Sequence, residues 1–358
     1  MARTVIPFGP QHPVLPEPLH LKLVMQDERI IEAIPAIGYV HRGLEKLTEL
    51  KEFTQVTYIV ERICGICSCM HALSYCQGIE SLMNIQIPDR ARFLRVIWAE
   101  LHRIHSHLLW MGLLADSFGF ESLFMQIWRN REKVMDIMEE TAGSRVIISV
   151  NTIGGTRRDI SKELLLKTKI IIEEIKEDMK RIDHVFLDDY TVKHRLVGVG
   201  VLTRETAYRL GTVGPMARAS GINQDHRTTG YAAYGELEFE PVVLQDGDSY
   251  TRTVVRMKEI YQSINLIEQA IDKLPDGEIA TPFKGNPTGE VIVRVEQPRG
   301  EVLYYIRANG TKNLERLRIR TPTFANIPTL LQMLPGSELA DVPVLILTID
   351  PCISCTER

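Results

Sequence analysis

Two cysteine pairs, each spaced CxxC, stand near opposite ends of the 358-residue chain. Cys64 and Cys67 lie in Glu61-Arg62-Ile63-Cys64-Gly65-Ile66-Cys67, and Cys352 and Cys355 lie in Asp350-Pro351-Cys352-Ile353-Ser354-Cys355. Thiolates at this spacing on a tight turn grip one soft metal ion, and four of them fill a coordination sphere. A zinc ribbon sets its two pairs about 15 to 20 residues apart. Here 284 residues stand between Cys67 and Cys352. A shared site therefore requires a fold that returns the end of the chain to its first third, which points to a metal centre with a chemical task.

The chain is long enough for a substantial core. A hydrophobic fraction of 44% and a formal charge of −4 describe an ordinary globular protein, with no electrostatic footprint for nucleic acid. The start lacks an apolar segment of signal-peptide length, and no later stretch offers about 18 uninterrupted apolar residues. The expectation is a cytoplasmic chain that does not itself cross a membrane. Its six cysteines are then metal ligands or buried thiols rather than disulfides.

Residues 19–40 alternate apolar and polar around Asp27-Glu28 and read as a β-hairpin. The preceding loop, with Pro10, Pro13, Pro16 and Pro18, cannot be helical and carries Glu17. Helical spacing runs from Leu44 towards Cys64, which falls at a helix end or turn. Apolar residues at three- and four-residue steps predict long helices over Arg90–Ala115, Glu121–Thr141, Ser161–Leu187 and Arg252–Leu274. Residues 196–250 read as irregular segments on this bundle. After Pro282 a second small β-structure forms around Pro298-Arg299-Gly300, and Val344–Ile349 reads as a short buried strand. The fold class is α+β, mainly α: a long-helix bundle with small β-structures near both ends. One domain over 1–358 is expected, with the hairpin at 19–40, the bundle at 44–280 and a β-containing segment at 288–358.

The motifs RICGIC (62–67) and DPCISC (350–355) resemble those of the large, catalytic subunit of nickel–iron hydrogenases, and the resemblance spans essentially the whole chain. GPQHP (9–13), HRGLE (41–45), SHLLWMG (106–112) and REKVMDIMEETAGSR (131–145) are similar to the quinone-site subunit of respiratory complex I, the cysteine-less relative of these hydrogenases. Together they resemble the membrane-bound, energy-converting group of the Ech type.

The resemblance implies that Cys64, Cys67, Cys352 and Cys355 bind nickel, and that Cys67 and Cys355 also bridge to an iron carrying cyanide and carbon monoxide. It implies three further catalytic positions. Glu17 takes the proton released when H2 is split, a step that needs a protein base. Arg299 hangs over the iron's diatomic ligands, and Asp116 orients Arg299. Glu45 matches a glutamate that in many members binds a hard divalent ion such as magnesium. Here, however, Arg358 stands three residues after Cys355, where the family usually has histidine. Glu45 then faces either an ion or an arginine such as Arg358. The ending at Arg358 also resembles the product of C-terminal trimming after nickel insertion. Cys69 and Cys76 read as buried thiols, and His12, His41, His71, His102, His105 and His107 as locally hydrogen-bonded histidines without ligand roles.

No second cluster motif is present, so electrons need a partner. By resemblance the partner is a small subunit with a 4Fe-4S cluster, exchanging electrons with ferredoxin. Membrane subunits then couple the reaction to proton or sodium movement and hold the chain on the cytoplasmic side. Two other readings stay open: a complex I-type quinone-site subunit without nickel, and a scaffold with structural zinc.

Overall fold

The computed structural model describes residues 3–358 apart from Val14 and Pro16. The N-terminal hairpin is present and gains a strand: β1 (Arg3–Phe8) pairs with β2 (His20–Gln26), which turns at Asp27, φ 56°, into β3 (Arg29–Ala36). Leu21, Leu23 and Met25 point from β2 into the core, as a two-residue alternation requires. The loop between β1 and β2 brings Glu17 inward; Pro16, counted in that loop above, lies outside the described residues.

The helical part begins with α1 (Leu44–Glu49) and α2 (Phe53–Glu61) and continues through α3 (Ser68–Met83), α4 (Asp89–Ser117) and α5 (Glu121–Ala142). A two-strand ladder, β4 (Asn151–Thr152) with β5 (Gly155–Thr156), precedes α6 (Lys162–Asp188). Ser161 caps α6 by accepting from the Leu164 N–H, and Asp248 caps the later α10 (Ser249–Asp272) through the Thr251 N–H. Between them lie α7 (Tyr190–Leu196), α8 (Arg204–Leu210) and α9 (Pro215–Ala219), with irregular backbone on either side of α9. The axis of the bundle is α4, buried almost all round and packed against α5 and α10. Its buried charges, Arg95, Glu100 and Arg103 among them, are therefore paired inside the protein.

The C-terminal sheet is an antiparallel meander of β6 (Thr288–Gln297), β7 (Gly300–Asn309) and β8 (Leu314–Arg320). Three helices follow: α11 (Pro322–Met333), α12 (Val342–Thr348) and α13 (Ile353–Glu357). The run Val344–Ile349 is thus helical through Thr348 and not the strand expected above. A short apolar run carries no period to choose between the two, and Pro343 sits in the first turn, where its missing N–H costs nothing. Trp110 of α4 and Arg256 of α10 fasten α12 by donating to the carbonyls of Leu347 (2.6 Å) and Thr348 (2.9 Å). That attachment returns the chain's last residues to its first third.

Candidate metal centre

Cys64 and Cys67 occupy the connection between α2 and α3, with Cys67 as the residue that caps α3. Cys352 caps α13, and its sulfur accepts the Cys355 N–H at 3.4 Å. Both pairs therefore sit at helix starts, where unpaired N–H groups favour a thiolate. The Cys64 and Cys352 sulfurs are 3.2 Å apart and those of Cys67 and Cys355 3.4 Å. All four cysteines are free and buried. The sulfurs of Cys64, Cys67 and Cys355 lie within 4.8 Å of one another, the spread that one centre with metal–sulfur bonds of about 2.3 Å spans. This donor set fits a soft metal. The thiols also share protons: hydrogen bonds with Cys352, Cys355 and Cys64 hold Cys67 well below the usual thiol range, while burial pushes Cys355 well above it.

The backbone of each pair is held by side chains from other elements. Arg42, in the loop before α1, donates to the carbonyls of Arg62 (2.9 Å) and Ile63 (2.7 Å) on one side and of Ser354 (3.1 Å) on the other. One guanidinium so straps the two cysteine segments together. Thr321 and Thr323, at the start of α11, bind the Cys355 carbonyl and the Cys352 N–H. His102 of α4 donates from Nδ1 to the Ile66 carbonyl at 3.2 Å.

Glu17 is half-buried against the last pair. Its Oε2 accepts the Ser354 N–H at 2.7 Å, and its Oε1 lies 3.8 Å from the Cys352 sulfur. Opposite it in the cluster, His71 of α3 places Nε2 3.4 Å from the Cys355 sulfur and Nδ1 2.7 Å from the Tyr304 hydroxyl. His71, grouped above with histidines lacking a site role, is thus in contact with the cluster. Its signal is the spacing: four residues after Cys67, at the start of the same helix. His105 also departs from the local-bonding expectation, since neither ring nitrogen has a hydrogen-bond partner among the described residues. Cys69 and Cys76 are buried thiols as expected, and burial pushes both up to about 12.

Arg299 sits in the β6–β7 turn, whose geometry depends on Gly300 at φ 130°. A Cβ there would come within 2.8 Å of the Gly214 backbone, so the turn lies backbone-to-backbone on the segment before α9. Buried Arg299 pairs with Asp350. Burial opposes its charge, but the Asp350 carboxylate, with negative charge on the neighbouring cysteine cluster, outweighs it and holds the guanidinium firmly protonated. Its Nη1 has no partner among the described residues. The expectation for Asp116 is corrected here. Asp116 is exposed near the end of α4, and the carboxylate on Arg299 is that of Asp350, two residues before Cys352.

Glu45, in the first turn of α1, accepts from the Ile319 N–H at 2.9 Å, from Arg358 Nε at 3.0 Å and from Arg318. Burial would raise its pKa, but these donors outweigh it and hold the carboxyl below its usual range.

Buried thiols from both ends of the chain, gathered in one cluster, form a donor set that suits a soft metal. Residues 117–284 and 280–358 match the family described as the 49 Kd subunit of respiratory-chain NADH dehydrogenase, and residues 42–116 match nickel-dependent hydrogenase. The membrane-bound hydrogenase subunit alpha of Pyrococcus furiosus is 40% identical, over 99% of this chain and 87% of that protein. The carbon monoxide-induced hydrogenase of Rhodospirillum rubrum is 36% identical over the full length of both. Among solved structures, the archaeal membrane-bound sulfane sulfur reductase contains a chain with a TM-score of 0.95 and 30% identity, covering 99% of this chain and 98% of that one. The chain belongs to the large-subunit family of membrane-bound, energy-converting nickel–iron hydrogenases, which is related to the 49-kDa subunit of respiratory complex I. Among the described residues no helix is long and apolar enough to cross a membrane.

Proposed function

We propose that this chain is the catalytic subunit of a nickel–iron hydrogenase that interconverts H2 with two protons and two electrons. The observation that carries this reading is the meeting of four buried, unbridged thiols, Cys64 on Cys352 and Cys67 on Cys355. In this reading Cys64, Cys67, Cys352 and Cys355 would hold nickel, and Cys67 and Cys355 would also hold an iron with cyanide and carbon monoxide ligands. The bound centre supplies the redox chemistry of H2 cleavage. Glu17, 3.8 Å from the Cys352 sulfur, accepts the released proton, and the loop before β2 gives that proton a way to solvent. Arg299, firmly protonated and with Nη1 unspent, would be free to donate to a ligand carried by the iron. Electrons pass through a small 4Fe-4S subunit to and from ferredoxin. Membrane subunits couple this exchange to ion movement and hold the chain, folded as one domain, on the cytoplasmic face.

A second reading, a quinone-site subunit without nickel, is favoured by the match to the 49 Kd family over most of the chain. The thiol cluster weighs against it, because a quinone site has no need of four converging cysteines. Metal analysis with infrared spectroscopy of the purified complex tests the choice. Nickel and iron in about equal amounts, with cyanide and carbonyl bands, support the hydrogenase; a nickel-free protein overturns it, and zinc alone marks a structural site.

A further inference from the structure

The structure assigns the hard-cation position beside the last cysteine pair to an internal cation, the guanidinium of Arg358, so that closing the segment carrying Cys352 and Cys355 requires no divalent ion. Magnesium demands about six oxygen ligands at about 2.0–2.1 Å in near-octahedral array. The oxygens near Glu45 are already committed. Glu45 Oε1 takes the Ile319 N–H and Arg358 Nε, and Oε2 takes Arg318. The Glu357 carboxylate takes the N–H groups of Gly38 and Val40, each at 2.5 Å, and its main-chain carbonyl meets the His41 ring. The Thr356 carbonyl takes Arg358 Nη1 at 2.9 Å.

Charge leads to the same conclusion. Glu45 carries one negative charge against the two positive charges of Arg318 and Arg358. A divalent ion added there would sit against two guanidinium groups, with the Glu45 carboxylate already shared between them and the Glu357 carboxylate already turned to two backbone N–H groups. The guanidinium itself fits well: Nε faces a carboxylate, Nη1 a carbonyl, and the plane lies 5.3 Å from the Phe324 ring centre. Arg358 and Glu357 therefore latch the C-terminal segment onto α1 and the loop before it. This inference goes beyond the hydrogenase reading and does not depend on it.

Glu45, Phe324 and Arg358 border a cavity of about 290 Å³, through which a chelator can reach any ion held there. The test uses the purified holoenzyme, dialysed against EDTA or against excess magnesium chloride, with divalent-ion content and Tm read on each sample. The expected result is substoichiometric magnesium, manganese and calcium after EDTA and the same Tm in both buffers. Arg358→Ala lowers Tm by about 2–4 °C equally in both. If that variant does not fold, Glu45→Gln, which keeps an oxygen for the Ile319 N–H, gives a chelator-independent drop instead. One equivalent of a divalent ion in the wild-type protein, lost to EDTA together with a fall in Tm, overturns the assignment. Nickel measured in the same samples separates this outcome from a failure of the hydrogenase reading, which would show as missing nickel.

Discussion

Arg299 holds Asp350 twice, donating from Nε to its main-chain carbonyl and from Nη2 to its carboxylate, both at 2.9 Å. Asp350 precedes Cys352 by two residues, so one contact aims the guanidinium and fixes the entry to the last cysteine pair. Asp350→Asn keeps an oxygen for Nη2 but removes the charge. H2 turnover is expected to fall by about 10²-fold while nickel and iron stay bound. Asp350→Ala leaves a buried guanidinium unpaired, at a cost of about 3–5 kcal/mol, and reduces the yield of folded holoenzyme. Asp116→Asn, on the exposed end of α4, leaves both turnover and Tm unchanged; an effect equal to that of Asp350→Asn would restore Asp116 to the site.

The long helices are legible in the sequence because α4, α5, α6 and α10 each carry their apolar residues at helical spacing over many turns. The cysteine pairs are legible because spacing and residue type together carry the chemistry. Arg42 is not, because its partners are carbonyls 20, 21 and 312 residues away, and a carbonyl has no residue type to read. Asp350 hides for a related reason: nothing local to it names Arg299, and only the β6–β7 turn brings the two together. Residues 196–250 read as irregular because their two helices, α8 and α9, are too short to show a period, yet the segment places Arg218, Asp225 and Arg227 in a buried ionic network against α4 and α10.

Glu17→Gln separates proton transfer from structure. The amide oxygen can still accept the Ser354 N–H, so the loop stays in place. The amide cannot take up a proton. Nickel and iron content should match the wild type, while H2 oxidation and hydrogen–deuterium exchange fall by about 10²–10³-fold. Undiminished exchange in a fully metallated variant would remove Glu17 from the proton path.

Gly300→Ala tests the turn that presents Arg299. The new methyl would lie 2.8 Å from Gly214, and the backbone at φ 130° disfavours any side chain. Strain of about 1–3 kcal/mol is expected to push the turn outward and carry Arg299 with it. The cyanide bands then shift in the infrared and turnover drops, with nickel still bound. Unshifted bands together with wild-type turnover would show that the close approach to Gly214 does not set the position of Arg299.

The buried ionic network makes a prediction for acid. Glu259 lies 2.7 Å from Arg218, Asp225 lies 2.7 Å from Arg227, and Glu100 meets Arg103 at 3.1 Å. Burial alone would raise all three carboxyls, but the guanidinium groups outweigh it and hold each below the usual carboxylate range. A carboxyl whose folded pKa is depressed contributes stability that is fully present above its unfolded value, near 4, and is lost as pH falls through the folded value. Glu296 acts in the opposite sense: burial raises its pKa despite Arg218, so its contribution diminishes as pH rises through that value and softens the acid loss. With three depressed carboxyls against one raised, and with burial holding His102, His105 and His107 below the usual imidazole range, Tm should be level from about pH 7 to 8, begin to fall below about pH 6 and fall further below about pH 4. Arg218→Met withdraws the cation between Glu259 and Glu296, so both carboxyls rise and the decline begins at higher pH than in the wild type. A Tm that climbs on acidification, or an Arg218→Met protein with the wild-type acid limb, would show that these arginines do not hold the carboxyls ionised.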